Sequence, residues 1–103
     1  MNYCMKKIIY YQYIVHISEY LMRDEKLGQI LCNRISHLQR QYNLTIEQLA
    51  YQSGISKGGL SEIMHGKKEP SNYTISNICA ALGISMSEFF DFEELKQYIK
   101  NKI

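Results

Sequence analysis

This sequence has few of the residues that mark secreted, fibrous or multidomain proteins. Its 103 residues include one proline, three cysteines and no tryptophan, and no stretch is of low complexity. The lack of repeats and of Pro-rich or Ser-rich tracts argues against a long linker. An odd number of cysteines at unrelated spacings argues against a disulfide framework. We therefore expect a single domain in the reducing environment of the cytoplasm.

The excess of positive charge is also small. Twelve lysines and arginines against ten acidic residues give a net charge of +2, with histidine counted as neutral. This charge is too small to indicate a nucleic-acid partner by itself. Its distribution is more informative, because Lys57, Lys67 and Lys68 fall in one short segment whereas residues 91–94 hold three acidic side chains.

The residues needed for catalysis or for holding a cofactor are missing as well. The sequence offers no nucleophile with a partner base, no paired carboxylates and no glycine-rich phosphate loop. Cys32, His37 and His65 come nearest to a metal-binding set, but their spacing matches no ligand pattern. We expect a protein that is not an enzyme, with no cofactor and no metal.

A leader of unusual composition opens the chain: its first 21 residues read MNYCMKKIIYYQYIVHISEYL. Two lysines precede an apolar run, as in a signal peptide, but Gln12 and His16 interrupt the run and no small-residue cleavage site follows. The run is too short and too polar to span a membrane. We interpret this N-terminal extension either as translated upstream DNA, with Met22 as the natural start, or as an arm that pairs with a partner subunit.

The rest of the chain has the periodicity of short helices. Leu27, Leu31 and Ile35 recur at four-residue steps, and Leu38 follows three residues later. This spacing predicts an amphipathic first helix, on whose polar face Arg34 is expected to be solvated.

Helix starts and stops recur downstream. Thr45 and Ser85 are N-cap candidates with Gln or Glu three residues later, which is the capping-box spacing. Gly54, Gly66 and Gly83 each follow an apolar periodic run and predict helix ends. No alternating strand pattern occurs after residue 21, so the expected fold class is all-α. The predicted helices cover residues 25–42, 46–52, 57–65, 72–82 and 86–91, and residues 92–102 lengthen the last helix.

The segment TIEQLAYQSGISKGGLSEIM has the layout of two short helices joined by a tight turn. Ala50 faces the turn, where a larger side chain would push the helices apart, and Gly54 makes the turn. Ile55, Leu60 and Ile63 tie the second helix to the core. This is the pattern of a helix-turn-helix, whose second helix enters the major groove of DNA.

Further landmarks surround this segment: LT at the start of the second helix, LA within it, GIS at the turn, then LS, GK, PS and ALGIS. With these spacings the sequence resembles the Cro/repressor-type (XRE family) helix-turn-helix domain of bacterial and phage regulators. The resemblance implies a compact five-helix, lambda-repressor-like DNA-binding domain over residues 22–91. It also implies binding of double-stranded DNA as a homodimer on a palindromic operator.

The resemblance also implies which residues contact DNA. Side chains of the third helix read bases, where Lys57 donates to guanine and Glu62 accepts from cytosine, while other residues hold phosphates. Gly58 and Gly59 leave the first turn of this helix bare, so that its backbone approaches DNA closely. The predicted DNA-binding residues are Thr45, Lys57, Gly58, Ser61, Glu62, Lys67 and Lys68.

Aromatic and apolar residues are concentrated at the end of the chain, in a predicted C-terminal helical tail over residues 92–103. Phe89 is expected to fill the core. The remaining large apolar side chains have little room inside so small a domain, so we expect them to form a dimer contact. The candidates are Phe90, Phe92, Leu95 and Ile99.

The expected function is a transcriptional repressor that occupies a promoter. One alternative is the antitoxin of a toxin–antitoxin pair, in which an extension binds a toxin. The other is a helix-turn-helix fold retained as a protein-interaction module, which the small net charge, Ile46 and the paired glycines favour.

Overall fold

Residues 25–102 are described by the computed structural model of this chain, and among them there are α-helices and no β-strand. The two hypotheses about residues 1–21 lie outside the described residues. The helices are α1 Glu25–Gln41, α2 Ile46–Ser53, α3 Lys57–Met64, α4 Asn72–Leu82, α5 Met86–Phe90 and α6 Glu93–Lys102. The all-α prediction is confirmed.

Local hydrogen bonds start the helices where the sequence predicted. At α2 the Thr45 hydroxyl accepts from the Gln48 amide at 3.1 Å, while the Gln48 side chain accepts from the Thr45 amide at 2.8 Å. Ser56, Ser71 and Ser85 cap α3, α4 and α5 in the same way, each accepting from the amide three residues on. Each cap satisfies an amide that the first helical turn leaves without a partner.

Left-handed residues end two of these helices. Gly54 after α2 has φ 67° and Gly83 after α4 has φ 70°, a conformation that glycine adopts without a Cβ clash. Asn43, in the connection between α1 and α2, also has a positive φ, of 55°. Asparagine is one of the few other residues that adopt this conformation readily, so the α1–α2 turn needs no glycine.

The prediction that residues 92–102 lengthen the last helix is wrong. The chain leaves helical geometry at Asp91, whose φ and ψ are −90° and 77°, and α6 starts afresh at Glu93. In an uninterrupted helix the carbonyls of Glu88 and Phe89 would accept from amides four residues on. Here the Arg34 guanidinium donates to both, with Nε 2.8 Å from Phe89 O and Nη2 2.9 Å from Glu88 O, while Glu88 O also accepts from the Asp91 amide at 3.2 Å.

The expectation that Arg34 is solvated is therefore also wrong. Besides its two carbonyl contacts, its Cζ lies 4.9 Å from the centre of the Phe92 ring, in cation–π geometry. This half-buried side chain joins the middle of α1 to the end of α5 and to the first residues beyond it.

One hydrophobic core unites the first five helices. Each of them contributes at least one buried side chain, and Phe89 in the short α5 is completely buried, as the sequence predicted. Helix α6 packs against α1 instead, with Tyr98 as its buried residue. None of the helices in residues 25–102 is both long and apolar enough to cross a bilayer. The core residues are Leu31, Cys32, Ile35, Leu38, Leu49, Ala50, Leu60, Ile63, Ile75, Ile78, Cys79 and Phe89.

Candidate nucleic-acid interface

Helices α2 and α3 form a tight unit whose inner face is apolar. Leu49 and Leu60 are fully buried and Ala50 is nearly so, which lets the two helices meet at the turn. The Ile55 amide donates to the Ala50 carbonyl at 3.0 Å and closes that turn. Ser53 is also buried, and its hydroxyl has no hydrogen-bond partner in the described part of the chain. The outer face of the unit is left to polar side chains.

The two glycines in the first turn of α3 have different surroundings. A Cβ on Gly58 would meet nothing within 4 Å, whereas a Cβ on Gly59 would lie 2.9 Å from the Ser56 hydroxyl. That hydroxyl accepts from the Gly59 amide at 3.0 Å, so a side chain at Gly59 would crowd the cap that starts the helix. The Ser56 cap therefore explains why residue 59 is glycine. No contact within the protein requires glycine at position 58, where a side chain would point into open space.

Lys57, the first residue of α3, makes an ion pair that the sequence analysis missed. Its Nζ lies 2.8 Å from Oε1 of Glu47, in the first turn of α2, and both side chains are more than half exposed. The hydrogen bond from Lys57 is the main reason that the pKa of the Glu47 carboxyl lies below its ordinary value. The pair was hard to foresee because ten positions separate its members and only the packing of α2 on α3 brings them together.

The other two predicted base-reading side chains on α3, Ser61 and Glu62, differ in their surroundings. Glu62 is exposed. Ser61 is half-buried, and its hydroxyl lies 3.3 Å from Nδ1 of His65, one turn further along. The same ring nitrogen lies 2.7 Å from the Ser61 carbonyl oxygen, which can only accept. Ser61 is therefore already engaged with His65, while Glu62 points to solvent.

The loop after α3 carries the two predicted phosphate-binding lysines. Lys67 and Lys68 are exposed, and the Lys67 amide donates to the Glu62 carbonyl at 2.9 Å. Beneath them the Cys32 thiol lies 3.8 Å from the Lys68 carbonyl oxygen. Burial raises the pKa of this thiol, and the nearby Glu69 raises it further. The thiol is thus neutral at physiological pH, and the loop rests on α1.

Thr45, the remaining predicted contact, is exposed at the start of α2. Its hydroxyl accepts from the Gln48 amide in the capping box, and the other backbone amides of the first turn have no carbonyl partner within the helix. The seven predicted DNA-binding residues thus belong to α3, the loop after it and the start of α2.

The four predicted dimer-contact residues fall into two groups. Phe92 is held by Arg34. Phe90, Leu95 and Ile99 instead line an open apolar groove along one side of α6, here called the α6 groove, and 47% of Ile99 is exposed. The rim of this groove is polar and includes Glu93, Lys96, Gln97 and Lys100.

The sequence profile of the Cro/C1-type HTH DNA-binding domain matches residues 34–94, more than half of the chain. The chain belongs to the Cro/C1-type helix-turn-helix family. This Cro/C1-type protein is therefore a DNA-binding regulator, as the sequence resemblance implied. The matched residues run from the middle of α1 to the first turn of α6, so most of α6 lies beyond the match.

Two solved structures are similar to this Cro/C1-type chain. The restriction-modification controller protein C.AhdI from Aeromonas hydrophila is 27% identical with a TM-score of 0.54, over 58% of this chain and 91% of that one. The prophage Lp1 protein 11 is 35% identical with a TM-score of 0.58, over 63% of this chain and 87% of that one. No curated protein matches the chain significantly.

Proposed function

We propose that this protein is a cytoplasmic, sequence-specific transcriptional repressor that binds a palindromic operator as a homodimer. The observation that carries the proposal is the division of α3 into two faces. Leu60 and Ile63 are buried, whereas Lys57, Gly58 and Glu62 are exposed together on the side that a helix-turn-helix turns toward the major groove. The proposal includes no catalytic step and no cofactor.

Within this proposal, base contacts and phosphate contacts come from different elements. Lys57 and Glu62 on α3 supply a donor and an acceptor suited to guanine and to cytosine. Lys67 and Lys68 supply charge to a phosphate, and the first-turn amides of α2 bind another at the positive end of the helix dipole. The similarity to a controller protein and to a prophage protein supports a regulatory role.

We further propose that the α6 groove is the dimer contact. The first turn of α6 holds Glu93 and Glu94, and its last turn holds Lys100 and Lys102. A two-fold axis across the groove would place two copies of α6 antiparallel, so that the acidic start of each lies beside the basic end of the other. Burial of the three apolar groove side chains would provide the main driving force.

Selection from randomised duplex DNA with the full chain tests the repressor proposal. We expect enrichment of an inverted repeat whose half-sites are centred about 10 base pairs apart, because two copies related by a two-fold axis read the same face of the duplex. Binding of the enriched duplex should weaken steeply with salt, as phosphate contacts require. The absence of both enrichment and salt-sensitive binding would overturn the proposal in favour of a protein-interaction module.

Substitution of Ile99 by aspartate tests the dimer contact. A charge placed in the apolar groove is costly to bury, so we expect the dimer dissociation constant, measured by analytical ultracentrifugation, to rise at least about tenfold. Asn101→Asp adds the same charge to the same helix, outside the residues that line the groove, and should raise the dissociation constant much less, because it weakens only the charge pairing at the basic end of α6. A dimer unaffected by Ile99→Asp would exclude this interface. A wild-type chain that stays monomeric would leave the groove to another protein, such as the toxin of the antitoxin alternative.

A further inference from the structure

The ion pair between α2 and α3 places an acidic side chain beside the first base-reading residue. Nζ of Lys57 and Oε1 of Glu47 are 2.8 Å apart. The buried side chains of Leu49, Ala50 and Leu60 hold the two helices together. Neither residue of the ion pair is therefore needed for helix packing. An exposed ion pair of this kind adds little to stability. The pair lies on the outer face of the two helices, where the proposed function places DNA.

Lys57 is not the only group that favours the charged form of Glu47. It lies in the first turn of α2, where the helix dipole favours a negative charge. Its lowered pKa, which backbone hydrogen bonding also supports, means that the carboxylate stays charged throughout the neutral pH range. A charged carboxylate paired with Lys57 at this place has two effects on a DNA-binding surface.

The first effect is on Lys57. An ammonium group has three donor positions, of which Glu47 takes one and leaves two for the O6 and N7 acceptors of guanine. An unrestrained lysine on a long flexible side chain can instead bind whichever phosphate is nearest. The second effect is repulsion between the carboxylate and the DNA backbone, which lowers affinity for every duplex and does not by itself change the ratio of affinities for two duplexes.

We propose that Glu47 is a specificity-determining residue, which directs Lys57 to a base edge and weakens binding to non-cognate DNA. This inference rests on the proposed function, since it presupposes that α3 reads DNA. It assigns a role to a side chain outside the seven residues predicted to contact DNA. In this arrangement Glu47 reduces affinity for non-cognate DNA and increases discrimination between sequences.

The test uses the full chain and two duplexes: the sequence enriched in the selection and a scrambled duplex of the same composition. In Glu47→Gln we expect affinity for the scrambled duplex to rise about three- to tenfold, with a salt slope steeper by about 0.9, because Lys57 becomes available to one phosphate. Affinity for the enriched duplex should change less. The ratio of the two affinities should therefore fall.

Two further variants separate this role from a plain change of charge. Glu88→Gln removes the same charge from an exposed position on α5 that belongs neither to the predicted DNA contacts nor to the α6 groove, and it should leave the affinity ratio as in the wild type. In a Lys57→Met background, Glu47→Gln should no longer lower the ratio, because the residue through which it acts is gone.

The outcomes distinguish a failure of the specificity role of Glu47 from a failure of the repressor proposal. If the wild-type chain prefers the enriched duplex but Glu47→Gln raises affinity for both duplexes by the same factor, the specificity role is wrong and the repressor proposal stands. If the wild-type chain enriches no sequence, the repressor proposal fails and this inference fails with it.

Discussion

Replacing Phe89 by alanine is expected to remove about 3–5 kcal/mol of folding stability, the usual cost of deleting a buried phenylalanine ring. Phe89 is fully buried, and its ring packs edge-on against Phe90 with centroids 5.1 Å apart. A domain of this size has a total stability of only about 5–15 kcal/mol. The melting temperature, followed by circular dichroism at 222 nm, should therefore fall by about 15–30 °C.

Phe90 provides the matched control, since it is the next residue on the same short helix but is only half-buried. Phe90→Ala deletes the same ring, and we expect a loss about half as large or smaller, because less apolar surface is removed from contact with the protein. If the two substitutions destabilise the domain equally, Phe89 is not the central side chain of the core and the packing of α5 is different from that described here.

Much of the fold was predictable because its signals are local. A capping box needs residues three positions apart, and the structure shows it at Thr45 and Gln48. The glycine helix ends and the apolar periodicity are equally local, so the bounds of the first five helices were predicted to within one residue. Phe89 was expected to fill the core, and the limited room in so small a core was the reason to expect the other large apolar side chains of the tail outside it.

The misses involve contacts between residues that are distant in sequence. Arg34 contacts carbonyls 54 and 55 positions away, and no pattern within α1 distinguishes it from a solvated arginine. The same contact lies at the break that the prediction of one long C-terminal helix missed, because the apolar periodicity continues through this break while Arg34 and the Asp91 amide donate to the last carbonyls of α5. At Phe89 O, a side chain from another helix takes the place of a backbone donor.

In the candidate interface, too, the sequence did not reveal contacts that depend on how the helices pack. The family resemblance points to Lys57, but nothing in the sequence points to its partner Glu47, because the contact depends on how α2 and α3 pack. The sequence suggests one common reason for both Gly58 and Gly59, which is close approach of the backbone to DNA. The structure separates them, since Gly59 is required by the Ser56 cap and only Gly58 is free of constraints from within the protein.

Replacing both Lys67 and Lys68 by glutamine is expected to weaken binding to the enriched duplex about 10- to 100-fold at low salt. Both side chains are exposed on the loop after α3, where each can neutralise one phosphate. Each lost phosphate contact reduces the salt slope by about 0.9, so the double variant should bind with a slope shallower by about 1.8. Fluorescence anisotropy titrations at several salt concentrations measure both quantities.

The base preference of this double variant should stay the same, because phosphate contacts position a protein on DNA without reading its sequence. Lys67→Arg with Lys68→Arg keeps both charges and should retain nearly wild-type affinity and slope. Lys57→Met, in contrast, should change the preferred base at one position of each half-site. A double glutamine variant that binds with an unchanged slope would show that the loop does not contact phosphates, and would leave the first turn of α2 as the remaining phosphate site near α3.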